Sequence, residues 1–259
     1  MSQFESPALV LHTFDYRETS RIVRLVTREH GVLSVVARGA RRPKNKFGAA
    51  LDLFASGMAQ VSMHGSRDLH ALHSFEANRS RPELAQSLDK FGAASAVAEF
   101  CMRFGRESET GHLYDTAVAA LDGIGAAAEA DVPSVAVAWA WRLVGELGFA
   151  PALELCALCH AALQPDADVT FHHRSGGALC ATCATQARGG RLFPAEARAT
   201  LVGWLAGSPM PADARAIRSH LRLLREFLEE HLGDGRPLRA FVAWEERQQG
   251  RTSVIESDA

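Results

Sequence analysis

Two cysteine pairs, Cys156-Ala157-Leu158-Cys159 and Cys180-Ala181-Thr182-Cys183, stand twenty residues apart and narrow the folds open to this 259-residue chain. Two residues between thiolates let one turn present both sulfurs to a single ion, and two such turns together complete a tetrahedron, which is the Zn²⁺ pattern. Two disulfides, a redox Cys-x-x-Cys and an iron–sulfur cluster are the competing readings. Disulfides do not persist in a reducing compartment, a redox motif needs no second copy, and iron–sulfur signatures space their cysteines differently. The spacing therefore predicts structural Zn²⁺ on Cys156, Cys159, Cys180 and Cys183. Four thiolates leave no position for a reacting water, so no catalytic metal is expected. Residues 169–171 and 176–179 read as a hairpin returning the second pair to the first, a zinc ribbon over about 153–190. His160, His172 and His173 read as surface histidines and Cys101 as a small buried side chain on a helix.

The rest of the chain changes character near residue 80. Before it, short runs rich in β-branched residues (8–11, 20–26, 32–37, 58–63 and 69–75) are separated by turn signals, among them 64–68, and predict a small five-stranded barrel or sandwich; the spacing of Arg21, Arg24 and Arg28 fits neither period two nor a helix strictly, and a partly helical second run is the alternative to the favoured strand. After it, apolar residues recur every three or four positions and predict helices over about 84–101, 113–126, 132–147, 194–205 and 211–232. Gly233-Asp234-Gly235 reads as the stop of the last one. Leu238, Phe241, Val242 and Trp244 are placed to dock on a core, and the polar tail 245–259 is expected to be disordered. The class is α+β, with a β domain over 1–80 and a helical domain over 81–259 into which the ribbon is inserted.

Charge divides at the same place. The formal charge is −2 overall, but residues 1–80 carry net +4 and residues 81–259 net −6. Five cations fall in nine residues at Arg38, Arg41, Arg42, Lys44 and Lys46, with no acid between Glu29 and Asp52. Such a density cannot be buried. Placed in a loop after a strand, it points to phosphate contacts, with Arg21 and Arg24 extending the patch if their strand faces the same way. Phe14, Tyr16, Phe47 and Phe54 are the aromatic candidates for base stacking, Phe54 fitting a core position better. The competing reading is a solvated loop.

No P-loop, Gly-x-Ser-x-Gly or His-Glu-x-x-His occurs, and helix acids such as Glu226, Glu229 and Glu230 read as solvated, so no enzyme and no small-molecule substrate is expected. Arg142 and Glu146 interrupt the longest apolar stretch, so no membrane span is expected, and the start shows no secretion signal; the expected location is cytoplasmic.

Taken together, Ala8-Leu9-Val10-Leu11, Asp15-Tyr16-Arg17-Glu18-Thr19-Ser20, the run 25–42 ending Ala37-Arg38-Gly39-Ala40-Arg41-Arg42, and Gly176-Gly177 ahead of the second cysteine pair resemble the bacterial RecO family over essentially the whole chain. The resemblance implies an N-terminal OB-fold, a helical domain and a zinc module. It implies binding of single- and double-stranded DNA and annealing, including of strands coated by single-strand-binding protein. With RecR it implies loading of RecA, at the nucleoid when active. Arg38, Arg41 and Arg42, followed by Lys44 and Lys46, would be DNA contacts. Asn45 stands where a Ser is expected. A second surface, apolar pockets beside basic residues, would take the acidic C-terminal tail of single-strand-binding protein; Arg142, Arg222 and Arg225 are its candidates. A zinc-stabilised protein adaptor without direct DNA binding is the alternative.

Overall fold

The computed structural model describes residues 2–63, 68–105, 112–232 and 236–255. The turn expected at 64–68 lies outside these except for Asp68, and the expected helix stop at 233–235 lies wholly outside them. The chain forms two compact units, Met1–Val132 and Pro133–Ala259.

In the first unit, β1 (Ser2–Tyr16), β2 (Ser20–Thr27), β3 (Gly31–Ala37), β4 (Ser56–Met63) and β5 (Leu69–Arg79) close a barrel in the order β1-β2-β3-β5-β4. β1 serves two neighbours. Its first half pairs with β4 (Ser2↔Met63 to Leu9↔Ser56) and its second half with β2, and a bulge between Val10 and His12 bends it between them. The parallel pairing of β3 with β5, Ser34↔Leu69 to Ala37↔Leu72, closes the ring and gives the OB-type topology. Alternation sends Val23, Leu25, Leu33, Val35, Ala59 and Val61 inward. The segment 38–55 caps one end of the barrel by inserting Ala40, Phe47 and Leu51 into that core. Phe47 and Phe54 are thus packed inside and offer no base a surface.

A 3-10 turn (Pro82–Ala85), α1 (Leu88–Phe104) and α2 (His112–Ala126) complete the unit. Ser87 caps α1 by accepting from the Lys90 amide at 3.1 Å, and the small face Ala93, Ala94, Val97, Ala98, Cys101 is buried. Burial pushes the Cys101 thiol up to about 12, so it remains a protonated apolar group. The buried Arg81 donates to the Phe54 carbonyl (2.6 Å), Ser56 Oγ (2.7 Å) and Asp122 on α2 (2.7 Å), fastening the helices to the barrel.

In the second unit, α3 (Val132–Val144) ends in a π-turn, Gly145–Phe149, where Gly148 at φ +83° takes the left-handed conformation. β6 (Val169–His172), β7 (Gly177–Leu179), α4 (Ala181–Gln186) and β8 (Arg191–Phe193) form the ribbon, its sheet ordered β7-β6-β8; β8 and α4 were not foreseen. α5 (Ala195–Leu205), α6 (Ala214–Leu232) and α7 (Arg239–Ile255) follow. α6 buries Ile217, Leu221, Leu224, Phe227 and Leu228, and Phe227 meets Trp141 of α3 (5.8 Å) and Phe171 of β6 (6.1 Å). The tail is a correction: residues 239–255 are helical, because Phe241 and Trp244 are buried and carry Glu245 into an ion pair with Arg225 at 3.0 Å. Residues 256–259 lie outside the described residues.

Candidate metal centre and nucleic-acid interface

The ribbon brings the four predicted sulfurs together. Those of Cys156, Cys159, Cys180 and Cys183 all lie within 4.8 Å of one another. Cys159 Sγ and Cys180 Sγ are 3.8 Å apart, far beyond a covalent S–S bond and equal to the ~3.8 Å edge of a tetrahedron with ~2.3 Å arms. Local backbone explains the convergence. The first turn is locked by the Cys156 amide to Ala161 O (2.8 Å) and the His160 amide to Cys156 O (2.9 Å), with His160 at φ +58°. In the second, Cys180 caps α4 with its sulfur, which accepts from the Cys183 amide at 3.5 Å. β7 is fixed to the chain before the first turn by a bridge between Gly177 and Ala152, so close that a Cβ on Gly177 would lie 2.2 Å from Ala152 O.

Burial opposes ionisation of Cys156, but backbone amides of Cys159, Cys180 and Leu158 more than offset it and bring the thiol down to about 6. Hydrogen bonds to Cys180, Cys159 and Cys156 drive Cys183 the other way, to about 12. Four thiolates cannot ionise together unaided, and a divalent cation removes that conflict. The donor set fits a metal.

The histidines are elsewhere. His160 is exposed and outside the cluster; His172 bonds Ser175 Oγ (2.7 Å) and Arg188 O (3.0 Å). His173 corrects the surface reading: it is mostly buried, 3.1 Å from Glu226, and its carbonyl accepts from His231 Nε2 at 2.6 Å. Glu226 is likewise not solvated, since it also accepts from Arg191 and Arg222 at 2.9 Å each. Burial raises its proton affinity, yet those two arginines outweigh burial and hold its carboxyl below the usual range. The result is a clamp between ribbon and α6.

On the barrel, the loop after β3 and the β1–β2 turn meet because β2 pairs with both neighbours, Asp15↔Arg21 and Arg21↔Ala37. They frame a cleft of about 450 Å³ walled by Tyr16, Arg17, Ser20, Arg38, Arg42 and His70. Gly39, at φ +75°, supplies the left-handed turn that starts the loop. The predicted cations part company here. Arg38 and Arg42 line the cleft and Lys44 is exposed beyond them. Arg21 and Arg41 are both held by Asp15, at 3.6 and 3.4 Å. Lys46 donates to the His73 carbonyl and stands 5.1 Å from the Phe47 ring. Arg24 points to the opposite face from Arg21, three residues being an odd step on a strand, and donates to Met102 O on α1 at 3.5 Å. Asn45 turns inward, its Oδ1 accepting from the Phe47 (2.9 Å) and Gly48 (2.8 Å) amides, so it shapes the loop. Arg17 was missed by sequence reasoning; the signal was its place in the β1–β2 turn, which antiparallel pairing sets beside the loop after β3.

In the second unit, Trp139, Trp204, Pro209 and Met210 line an apolar pocket of about 220 Å³, with Ser134 and Arg142 at its wall. The Arg142 guanidinium lies 5.0 Å from the Trp139 ring. Arg222 and Arg225 are instead engaged by Glu226, Glu229 and Glu245. No helix among the described residues is long and apolar enough to cross a membrane.

Comparison with known proteins adds the family. Residues 1–81 match the model "Recombination protein O N terminal" and residues 85–240 match "Recombination protein O C terminal". The chain is 32% identical over 250 residues to "DNA repair protein RecO" of Anaeromyxobacter sp. (strain K), covering 93% of this chain and 96% of that one. It is 30% identical over 244 residues to the protein of the same name from Myxococcus xanthus (strain DK1622), covering 90% and 94%. With both family models matched in order along the chain and relatives aligned over nearly their full length, this protein belongs to the RecO family of DNA repair proteins.

Proposed function

We propose that the protein is a recombination mediator that binds single- and double-stranded DNA at the barrel cleft, anneals complementary strands and, with RecR, helps load RecA on DNA coated by single-strand-binding protein. The observation that carries this reading is the convergence of Arg17, Arg38 and Arg42 on one 450 Å³ cleft of the barrel. Cations there displace condensed counterions and lower the mutual repulsion of two strands, and annealing then needs no bond-making step. The activity is therefore non-enzymatic, with no small-molecule substrate, and belongs in the cytoplasm, at the nucleoid when active. The acidic tail of single-strand-binding protein would enter the pocket of Trp139, Trp204 and Met210, its carboxylates meeting Arg142.

The metal is assigned as Zn²⁺ on Cys156, Cys159, Cys180 and Cys183, supported by an all-thiolate set with tetrahedral spacing. It supplies folding energy to a ribbon too small to hold itself. Elemental analysis of reduced protein should give about one zinc per chain; its absence would sink the assignment.

The test of function is annealing of complementary strands, and binding to each, by the native chain and by Arg38→Ala/Arg42→Ala/Lys44→Ala. Loss of both in the variant is expected. A variant that binds and anneals like the native chain would move the interface off this cleft, and a native chain that binds neither strand would return the protein to the adaptor reading.

A further inference from the structure

The outward face of β1 carries three rings on one side. Beyond the bulge at Val10/His12, alternation sets His12, Phe14 and Tyr16 on the same face of the strand. The His12 and Phe14 rings are stacked, centroids 4.3 Å apart and planes 30° apart. Phe14 is 46% exposed, although a large aromatic side chain on a strand ordinarily contributes to a core. Tyr16 ends the row in the wall of the cationic cleft, with the Arg17 guanidinium 5.1 Å from its ring. Across the ladder, Ile22 stands opposite Phe14 and Val36 opposite Ile22, so the floor beside the central ring is apolar, while Arg24 stands opposite His12 and Ser20 opposite Tyr16.

A row of rings edged by cations suits one class of ligand. In a duplex each base has both faces covered by its neighbours, whereas an unpaired base offers a free π-face. We propose that His12, Phe14 and Tyr16 form a base-stacking track that makes this face prefer single-stranded DNA, with unpaired bases against the rings and phosphates along Arg17, Arg38 and Arg42. This rests on the nucleic-acid reading of the cleft. It assigns the discrimination between strand states to β1 and the affinity common to both to the arginines. Because the rings read any base, the preference is for single strands of any sequence.

The experiment compares three ligands with the same number of phosphates: a single strand, the same strand with abasic sites, and a duplex. Each is titrated into the native chain and into His12→Ala/Phe14→Ala, whose two positions lie outside the cleft wall. The native chain is expected to prefer the base-bearing strand over the abasic one by about fivefold or more for each ring engaged. The variant is expected to lose most of that preference while binding the abasic strand and the duplex as before. A variant that keeps the native preference refutes the track, and so does one that loses all three ligands equally. Phe14→Trp, which keeps the position filled, should strengthen the preference and show quenched indole fluorescence on adding the single strand; no gain and no quenching count against the proposal. The two levels fail differently: a native chain that binds all three ligands alike overturns the track alone, and one that binds none overturns the cleft as well.

Discussion

Removing a single acid should strengthen the salt dependence of DNA binding. Asp15 holds Arg21 at 3.6 Å and Arg41 at 3.4 Å, and all three side chains are well exposed, at 60% for the acid and 38% for each arginine. Pairs that exposed contribute about 0–1 kcal/mol, so Asp15→Asn should leave the fold intact. A cation already neutralised by a carboxylate releases less than a full counterion on meeting a phosphate. Arg17, Arg38, Arg42 and Lys44 make no ion pair among the described residues, and four contacts at about 0.7 each predict a native log–log slope near −2.8 on single strands. Freeing Arg21 and Arg41 makes six contacts and a slope near −4.2, while Arg38→Ala/Arg42→Ala/Lys44→Ala leaves a slope near −0.7. Between roughly 50 and 200 mM salt, these slopes are losses of about 50-fold for the native chain, about 300-fold for Asp15→Asn and about threefold for the triple variant. Fluorescence anisotropy of a labelled oligonucleotide across that range measures all three. Equal slopes for the native and Asp15→Asn chains would refute the division of the cations argued here, and equal slopes for the native and triple-variant chains would move the interface off this cleft.

Three further outcomes are expected. Arg81→Met should lower the urea-unfolding free energy of the barrel unit by about 3 kcal/mol, because it strips the Phe54 carbonyl and Ser56 of a buried donor and Asp122 of one of its two cations; a loss below about 1 kcal/mol would mean the latch is incidental. Burial against Trp204 and Phe193, with neither ring nitrogen hydrogen-bonded among the described residues, brings His220 down to about 4. Its folded value lies below the unfolded one of about 6.5, so its contribution is complete above pH 6.5 and falls away as pH drops toward 4, by about 3 kcal/mol. His220→Phe should flatten that part of the stability–pH curve, and an unchanged slope would show that another group carries it. Gly177→Ala puts a Cβ 2.2 Å from Ala152 O and should reduce metal retention in a chelator challenge; native retention would mean the two cysteine turns meet without this close approach.

Several elements were readable along the chain because their cause is local. Two-residue spacing within each cysteine pair and the β-branched runs at 20–26 and 32–37 are properties of a few neighbouring residues, and the sulfur cluster and strands β2 and β3 appear where those patterns put them. The polar composition after 245 misled for the complementary reason. Helix α7 exists because Phe241 and Trp244 are buried and Glu245 meets Arg225, contacts with residues far away in sequence.

The candidate interface shows the same division. A density of five cations in residues 38–46 with no acid nearby was enough to place charge at a surface loop, since nothing buried could tolerate it. Which cations remain available was decided by closure of the barrel, which carries Asp15 between Arg21 and Arg41, turns Lys46 to the His73 carbonyl and brings in Arg17 from another turn. The same closure exposed His12, Phe14 and Tyr16 together, and buried Phe47 and Phe54. Composition and short-range spacing therefore set the domain types, the four cysteines of the candidate metal centre and the sign of the candidate interface. The partner of each charge and the side of each ring follow from strand register around a closed ring, which joins residues whose separation in sequence carries no signal of their contact.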